Sequence, residues 1–144
     1  IQIAVDLHQD LPVLIQEDDL YQITYNLVEN GIKYNVPGGT LSISLHRQED
    51  MAVLRISDTG TGIPPESLAH VFERFYRVAK ARSRQTGGSG LGLAIVRSMV
   101  ERNNGEIHLQ STVGKGTTFT VFFPCFDFTE TELPPEVERN EDLE

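Results

Sequence analysis

Gly87-Gly88-Ser89-Gly90-Leu91-Gly92-Leu93-Ala94-Ile95-Val96 is a glycine run that changes, without a gap, into an apolar helical pattern. Glycine lets backbone N–H groups come close to a ligand because no Cβ stands in the way. The helix that follows, with Leu91, Leu93 to Val96, Met99 and Val100 as its apolar positions, begins with N–H groups that have no partner inside it and with the positive end of its dipole. Such a junction suits an anion, phosphate above all. Two better-known phosphate loops are excluded by spacing. The dinucleotide pattern G-x-G-x-x-G/A arrives at Leu93 or Ile95 where it needs a small residue, and the P-loop pattern fails because Gly114-Lys115 is followed by Gly116.

Directly upstream, Arg74, Arg77, Lys80, Arg82 and Arg84 fall within eleven positions that hold no acid. From Tyr76 to Gly88 the sequence is polar, basic and without periodicity, which predicts a mobile loop that closes over phosphates. Downstream, Asn103-Asn104-Gly105 stops the helix and Ile107 and Leu109 begin a strand. Gly114-Lys115-Gly116 then turns into a last strand, Thr117 to Phe123, ended by Pro124.

Further out, Ile1, Ile3 and Val5 alternate with polar residues, which predicts a half-buried strand. Leu20, Ile23, Leu27 and Val28 follow helical spacing, with Asp18 or Asp19 as N-cap and Pro37-Gly38-Gly39 as stop. On another face of that helix Asn26, Asn30 and Lys33 are neighbours at spacings of four and three. Asn is a poor helix-interior residue because its amide competes with the backbone, so a merely solvated face would use Glu, Lys or Gln. The functional alternative makes Asn30 an oxygen ligand for Mg2+, which keeps few protein ligands beside substrate phosphates, and Lys33 a phosphate contact.

Leu41, Ile43 and Leu45 mark a second strand, and Met51 to Ser57 a third, joined by the turn Arg47 to Asp50. Ala52, Leu54 and Ile56 share one face, and the same period places Asp58 on it. A carboxylate at the buried end of a strand needs hydrogen-bond donors. Asp58-Thr59-Gly60-Thr61-Gly62-Ile63-Pro64 follows, with glycines where the chain must turn and let something flat approach. Leu68, Val71, Phe72 and Phe75 predict a short amphipathic helix. These elements predict a two-layer α/β sandwich: a mixed, mostly antiparallel sheet of about five strands with about three helices on one face.

The net charge of -9 is concentrated at one end, since eight acids and one Arg fall within 125–144. Residues 1–124 are therefore read as one nearly neutral domain and 125–144 as an acidic, disordered tail. No long basic face exists, which excludes nucleic acid as partner. No apolar run approaches the ~18 residues of a membrane span, and no signal-peptide pattern is present. The chain opens at Ile1 with its alternation already under way, so it reads as a fragment of a longer protein. Cys125, the single cysteine, excludes an internal disulfide and suits a reducing compartment.

Five motifs taken together resemble a known family. Asn26-Leu-Val-Glu-Asn30-Gly-Ile-Lys33-Tyr34-Asn35 resembles the N box of sensor histidine kinases, and Asp58-Thr-Gly60-Thr-Gly62-Ile63 their G1 box. Phe72-Glu-Arg-Phe75-Tyr-Arg77 is similar to the F box, Gly88-Ser-Gly90-Leu91-Gly92-Leu to the G2 box, and Gly114-Lys-Gly116-Thr117 to the last glycine motif. All five stand in the family's order between Ile1 and Pro124. The resemblance implies the Bergerat ATP-binding fold, with Asp58 accepting a hydrogen bond from the adenine amino group and Asn30 binding Mg2+. It further implies Lys33, Tyr34 and Arg77 at the phosphates, Gly88 and Gly90 to Gly92 as the G2 backbone cradle, and Thr117 near adenine. Asn26, Gly60, Gly62 and Ile63 join the implied ATP-binding set, and Asn30, Lys33 and Arg77 the implied catalytic one. The segment from Tyr76 to Arg84 resembles phosphate-type sensor kinases paired with winged-helix response regulators.

In such kinases the γ-phosphoryl group of ATP passes to a His in a His-Glu/Asp-x-x-x-Pro setting on a dimerisation domain. None of His8, His46, His70 and His108 has that setting. The implied partners are therefore that phosphotransfer domain of the same protein, normally a homodimer, and the receiver domain of a response regulator. The implied location is a cytoplasmic domain of a membrane-anchored protein. Two other readings compete. An ATP hydrolase of the same fold needs a Glu one helical turn before the Mg-binding Asn, where this chain has Asn26, and losing a general base typically costs ~10² to 10⁴ in rate. A nucleotide-binding regulatory module would be expected to have lost some of Asn30, Lys33, Asp58, Arg77 and the glycine run, all of which are present.

Overall fold

The computed structural model describes residues 1–7, 11, 13–76 and 92–125. The expected mobile loop, apart from Tyr76, and the expected tail beyond Cys125 lie outside the described residues, as does His8. In chain order the elements are β1 (Gln2–Leu7), α1 (Glu17–Lys33), β2 (Thr40–Gln48), β3 (Met51–Asp58), α2 (Pro65–Leu68), α3 (Gly92–Arg102), β4 (Glu106–Thr112) and β5 (Gly116–Pro124). The five strands form one mixed sheet in the order β1-β2-β3-β5-β4. The β1–β2 pair is parallel and the other three are antiparallel.

Period-two alternation decides which face is covered. Leu41, Ala52, Leu54, Ile56, Phe119, Val121 and Phe123 point to one face and are buried against Ile23 and Leu27 of α1 and Val96 and Val100 of α3. The opposite face is rich in hydroxyls, with Ser57 and Thr118 paired across β3 and β5 at 2.7 Å. The register sets Asp58 directly opposite Thr117. Asp58 thus sits at the end of the buried stripe and on its side, as the alternation in β3 predicts.

Four local expectations are corrected. The first helix begins at Glu17 with Gln16 as N-cap, and it ends at Lys33, before Pro37. Asp19 is not a cap: it is buried in the first turn, where Arg102 and Asn103 bind its carboxylate. Ile1, Ile3 and Val5 are each more than half exposed, because β1 is an edge strand that α1 does not cover. The helix expected over Leu68–Phe75 is one turn, α2, continued to Tyr76 by successive three-residue turns. In that run Val71 is buried, Phe72 packs edge-on against Phe119, and Phe75 is exposed at φ 67°.

Candidate functional site

Three segments meet at one end of the sheet: the polar flank of α1, the loop after β3 and the first turn of α3. On α1 the buried positions Ile23, Leu27 and Gly31 fix the helix's rotation, so Asn26, Asn30 and Lys33 fall together beside the core stripe. Each end of the Asn26 amide has one partner. Its oxygen accepts from Gln22 Nε2 at 3.0 Å, and its nitrogen donates to the Gly92 carbonyl at 3.4 Å, tying α1 to the start of α3. The side chains of Asn30 and Lys33, by contrast, have no hydrogen-bond or ion-pair partner among the described residues, although both are half-buried. An amide and an ammonium left open on the flank that faces the glycine-led α3 suit an oxygen-rich anion with a hard cation.

Asp58 is half-buried, and burial raises its pKa above the ordinary carboxylate value. Backbone N–H groups of Gly60 and Thr117 oppose that shift, the Gly60 donor lying 2.8 Å from Oδ1. The second oxygen, Oδ2, faces Gly31: a Cβ placed there would lie 3.6 Å from it and 2.6 Å from Leu41 Cδ1. Glycine is a weaker helix former than Ala, and here it stands in the last turn of α1. It lets α1 and β2 close tightly beside the carboxylate.

The loop after Asp58 is held on both sides. Gly60 has no room for a side chain, since a Cβ would strike the Tyr34 carbonyl and lie 2.8 Å from Asp58 Oδ1. Gly62 adopts φ 79°, the left-handed region, with its Cα against the Thr112–Val113 backbone. Ile63 N donates to Ser111 Oγ at 2.8 Å, and Ser111 Oγ also reaches Thr117 Oγ1 at 2.8 Å and the Gly116 carbonyl at 2.9 Å. Ser111 had no motif to mark it; its place next to Thr117 comes from the β4–β5 register. Of the expected site residues, Asn26, Asn30, Lys33, Tyr34, Asp58, Gly60, Gly62, Ile63, Gly92 and Thr117 converge on this end. Arg77, Gly88, Gly90 and Leu91 lie outside the described residues.

Residues 15–126 match the family described as histidine kinase-, DNA gyrase B- and HSP90-like ATPase. The chain belongs to this family. Among curated relatives, the sensor histidine kinase RppB of Synechocystis sp. is 46% identical over 76% of this chain and 24% of its own length. The sensor histidine kinase WalK of Bacillus subtilis is 44% identical over 81% of this chain and 19% of its own length. The chain thus spans about a quarter or less of these relatives. Among solved structures, a mycobacterial sensor histidine kinase, MprB, superposes with a TM-score of 0.76 at 33% identity, covering 88% of this chain and 85% of that one. ShkA, solved full-length in complex with AMPPNP, superposes at 0.74 with 28% identity, over 89% of this chain and 26% of that one.

Within this ATPase family, the composition of the site sorts the chemistry. The position one helical turn before Asn30 holds Asn26, an amide with both ends engaged, so no carboxylate base stands there. Glu29 is exposed and lies about 100° around α1 from Asn30, not one helical turn before it. The remaining described histidines sit on the surface beside acids: His46 with Asp6, His70 with Glu73 and His108 with Glu106. Among the described residues no helix is long and apolar enough to cross a membrane.

Proposed function

We propose that this chain is the ATP-binding catalytic domain of a sensor histidine kinase, holding Mg-ATP between α1, the Asp58–Ile63 loop and the start of α3. Asp58 accepts a hydrogen bond from the adenine amino group while Gly60 N holds its other oxygen. Gly31 and Gly60 keep side chains off the Asp58 carboxylate, and Thr117 would lie on the far side of the ring. Asn30 would hold Mg2+ through its amide oxygen, and Lys33, Tyr34, Arg77 and the glycines at 88, 90 and 92, with Leu91 between them, would line the phosphates. The open amide of Asn30, a neutral oxygen donor beside Lys33, fits a hard cation that arrives with its own phosphate ligands. When bound, Mg2+ neutralises charge on the phosphates.

The chain's own part in phosphoryl transfer is positioning and electrostatics, because the transition state asks for little covalent help. The bond from the γ-phosphorus to the ADP oxygen breaks as a bond to the acceptor His nitrogen forms, and ADP leaves. The acceptor belongs to a dimerisation domain of the same protein, and the phosphoryl group passes on to a response regulator's receiver domain. We read the whole protein as a membrane-anchored homodimer with this domain in the cytoplasm.

The observation that carries this reading is Asp58: a half-buried carboxylate with Oδ1 held by the Gly60 N–H and Oδ2 beside Gly31, which has no side chain to cover it. The test follows γ-labelled ATP with Mg2+, first with this chain alone and then with a separately made dimerisation domain of a related kinase. Label should stay on ATP with the chain alone and move to the added His, and Asn30→Ala should abolish the transfer. Steady phosphate release by the chain alone would overturn the kinase reading in favour of a hydrolase.

A further inference from the structure

Where α1 ends, a small group of polar atoms joins three segments of the site. Asn35 Nδ2 donates to the Thr40 carbonyl at 3.1 Å, while its Oδ1 accepts from Val36 N at 2.8 Å and from the Thr59 hydroxyl at 3.3 Å. Thr59 Oγ1 in turn accepts from Thr40 N at 2.8 Å, and Thr59 N donates to the Thr40 carbonyl at 3.1 Å. The amide's orientation is fixed by its partners. Val36 N can only donate and the Thr40 carbonyl can only accept, so the reversed amide would lose both bonds. Glycines close the space around the knot: a Cβ on Gly39 would strike Asn35 Oδ1 and lie 2.7 Å from Thr59 Oγ1, and one on Gly60 would lie 3.1 Å from Asn35 Cα. Thr61 N adds a bond to the Tyr34 carbonyl at 3.1 Å.

Asn35 follows closely on Asn30 and Lys33, and Thr59 is the residue after Asp58. The Asn35–Thr59 contact is therefore a direct side-chain link between the end of the site assigned to phosphates and the carboxylate assigned to adenine. We propose that Asn35 and Thr59 are positioning residues, which hold those two half-sites at the one separation that lets both ends of a single ATP molecule bind together. This rests on the nucleotide reading above. A ligand held at two ends gains affinity only if the two contacts are spaced in advance. Loosening the link leaves each half-site able to bind its own fragment but removes the benefit of joining them.

The test compares the dissociation constants of Mg-ATP, adenosine and Mg-tripolyphosphate by calorimetry for the wild-type chain, Asn35→Ala, Thr59→Val and Thr59→Ser. Asn35→Ala and Thr59→Val should each weaken Mg-ATP by about ten-fold, the order expected for one or two neutral hydrogen bonds. Both should leave adenosine and tripolyphosphate within about two-fold of wild type, and Thr59→Ser, which keeps the hydroxyl, should match wild type for all three. Unchanged Mg-ATP affinity in both Asn35→Ala and Thr59→Val overturns the positioning role, and so does parallel weakening of all three ligands, which marks a loss of local fold. If Asn35→Ala does not fold, Thr59→Val, close to Thr in shape, decides alone. A wild-type chain that binds no Mg-ATP would overturn the nucleotide reading itself, an outcome distinct from one in which wild type binds and the variants do not differ from it.

Discussion

Asp58 serves two demands that pull against each other. Burial raises its pKa, so the folded chain holds the proton more tightly than the unfolded chain does. Folding stability therefore falls as pH rises from the ordinary carboxylate value through the raised one, and at neutral pH that cost is in place. Asp58→Asn removes the charge yet keeps an oxygen that can accept from the Gly60 N–H. Its melting temperature at pH 7 should equal or exceed that of wild type, while Mg-ATP binding by calorimetry should be lost; a clearly lower melting temperature would contradict this account. Gly116, on the neighbouring strand, is a case of simple sterics. It adopts φ 134°, and a Cβ there would strike the Asp58 carbonyl, which is backbone and cannot step aside cheaply. Gly116→Ala should cost ~2–3 kcal/mol in urea unfolding, and a change under ~0.5 kcal/mol, the range of an ordinary surface substitution, would show that the strand start is softer than its geometry implies.

At the scale of elements, α1 and α3 are held at the end away from the site by one buried carboxylate. Asp19, with its side chain 4% exposed, accepts from Arg102 Nε at 2.9 Å, Arg102 Nη2 at 2.6 Å and Asn103 Nδ2 at 2.8 Å. The Arg102 and Asn103 hydrogen bonds lower its pKa to about 2, outweighing the burial that would raise it. A depressed carboxylate pKa gives stability that is complete above the unfolded value, near 4, and is lost as pH falls toward 2. The melting temperature of wild type should thus decline more steeply between about pH 4 and 2 than that of Asp19→Asn, whose amide does not titrate. Parallel curves for the two proteins would remove Asp19 from the acid response. The same pair marks a limit of pattern reading. Asp18 and Asp19 before an apolar periodic run match an N-cap, and only the position of Arg102, on a helix more than eighty residues later, turns one of them into an inter-helix clamp. The exposure of β1 has a similar cause: alternation records a face suited to burial, while coverage depends on where α1 lies across the sheet.

For the whole molecule, ligand linkage gives the broadest test. A ligand that binds only the folded chain at about 100 times its dissociation constant adds ~2.7 kcal/mol, which for a domain of this size corresponds to a melting shift on the order of 10 °C. Mg-ATP should produce such a shift, and ATP with a chelator in place of Mg2+ a smaller one; equal shifts would argue against a metal held through Asn30. What the sequence determined by itself is whatever depends on neighbours along the chain. Period-two runs gave the strands and the side Asp58 occupies, spacings of three and four put Asn26, Asn30 and Lys33 on one flank, and glycines marked the turns at Gly60, Gly62 and Gly116. Tertiary structure decided what depends on residues far apart meeting: the parallel β1–β2 pair, the clamp on Asp19, the Ser111–Thr117 contact and the Asn35–Thr59 link. Local propensity is set by each residue's own backbone and near neighbours. The partner of a buried polar group is set by how helices and strands pack, which no short stretch of sequence encodes.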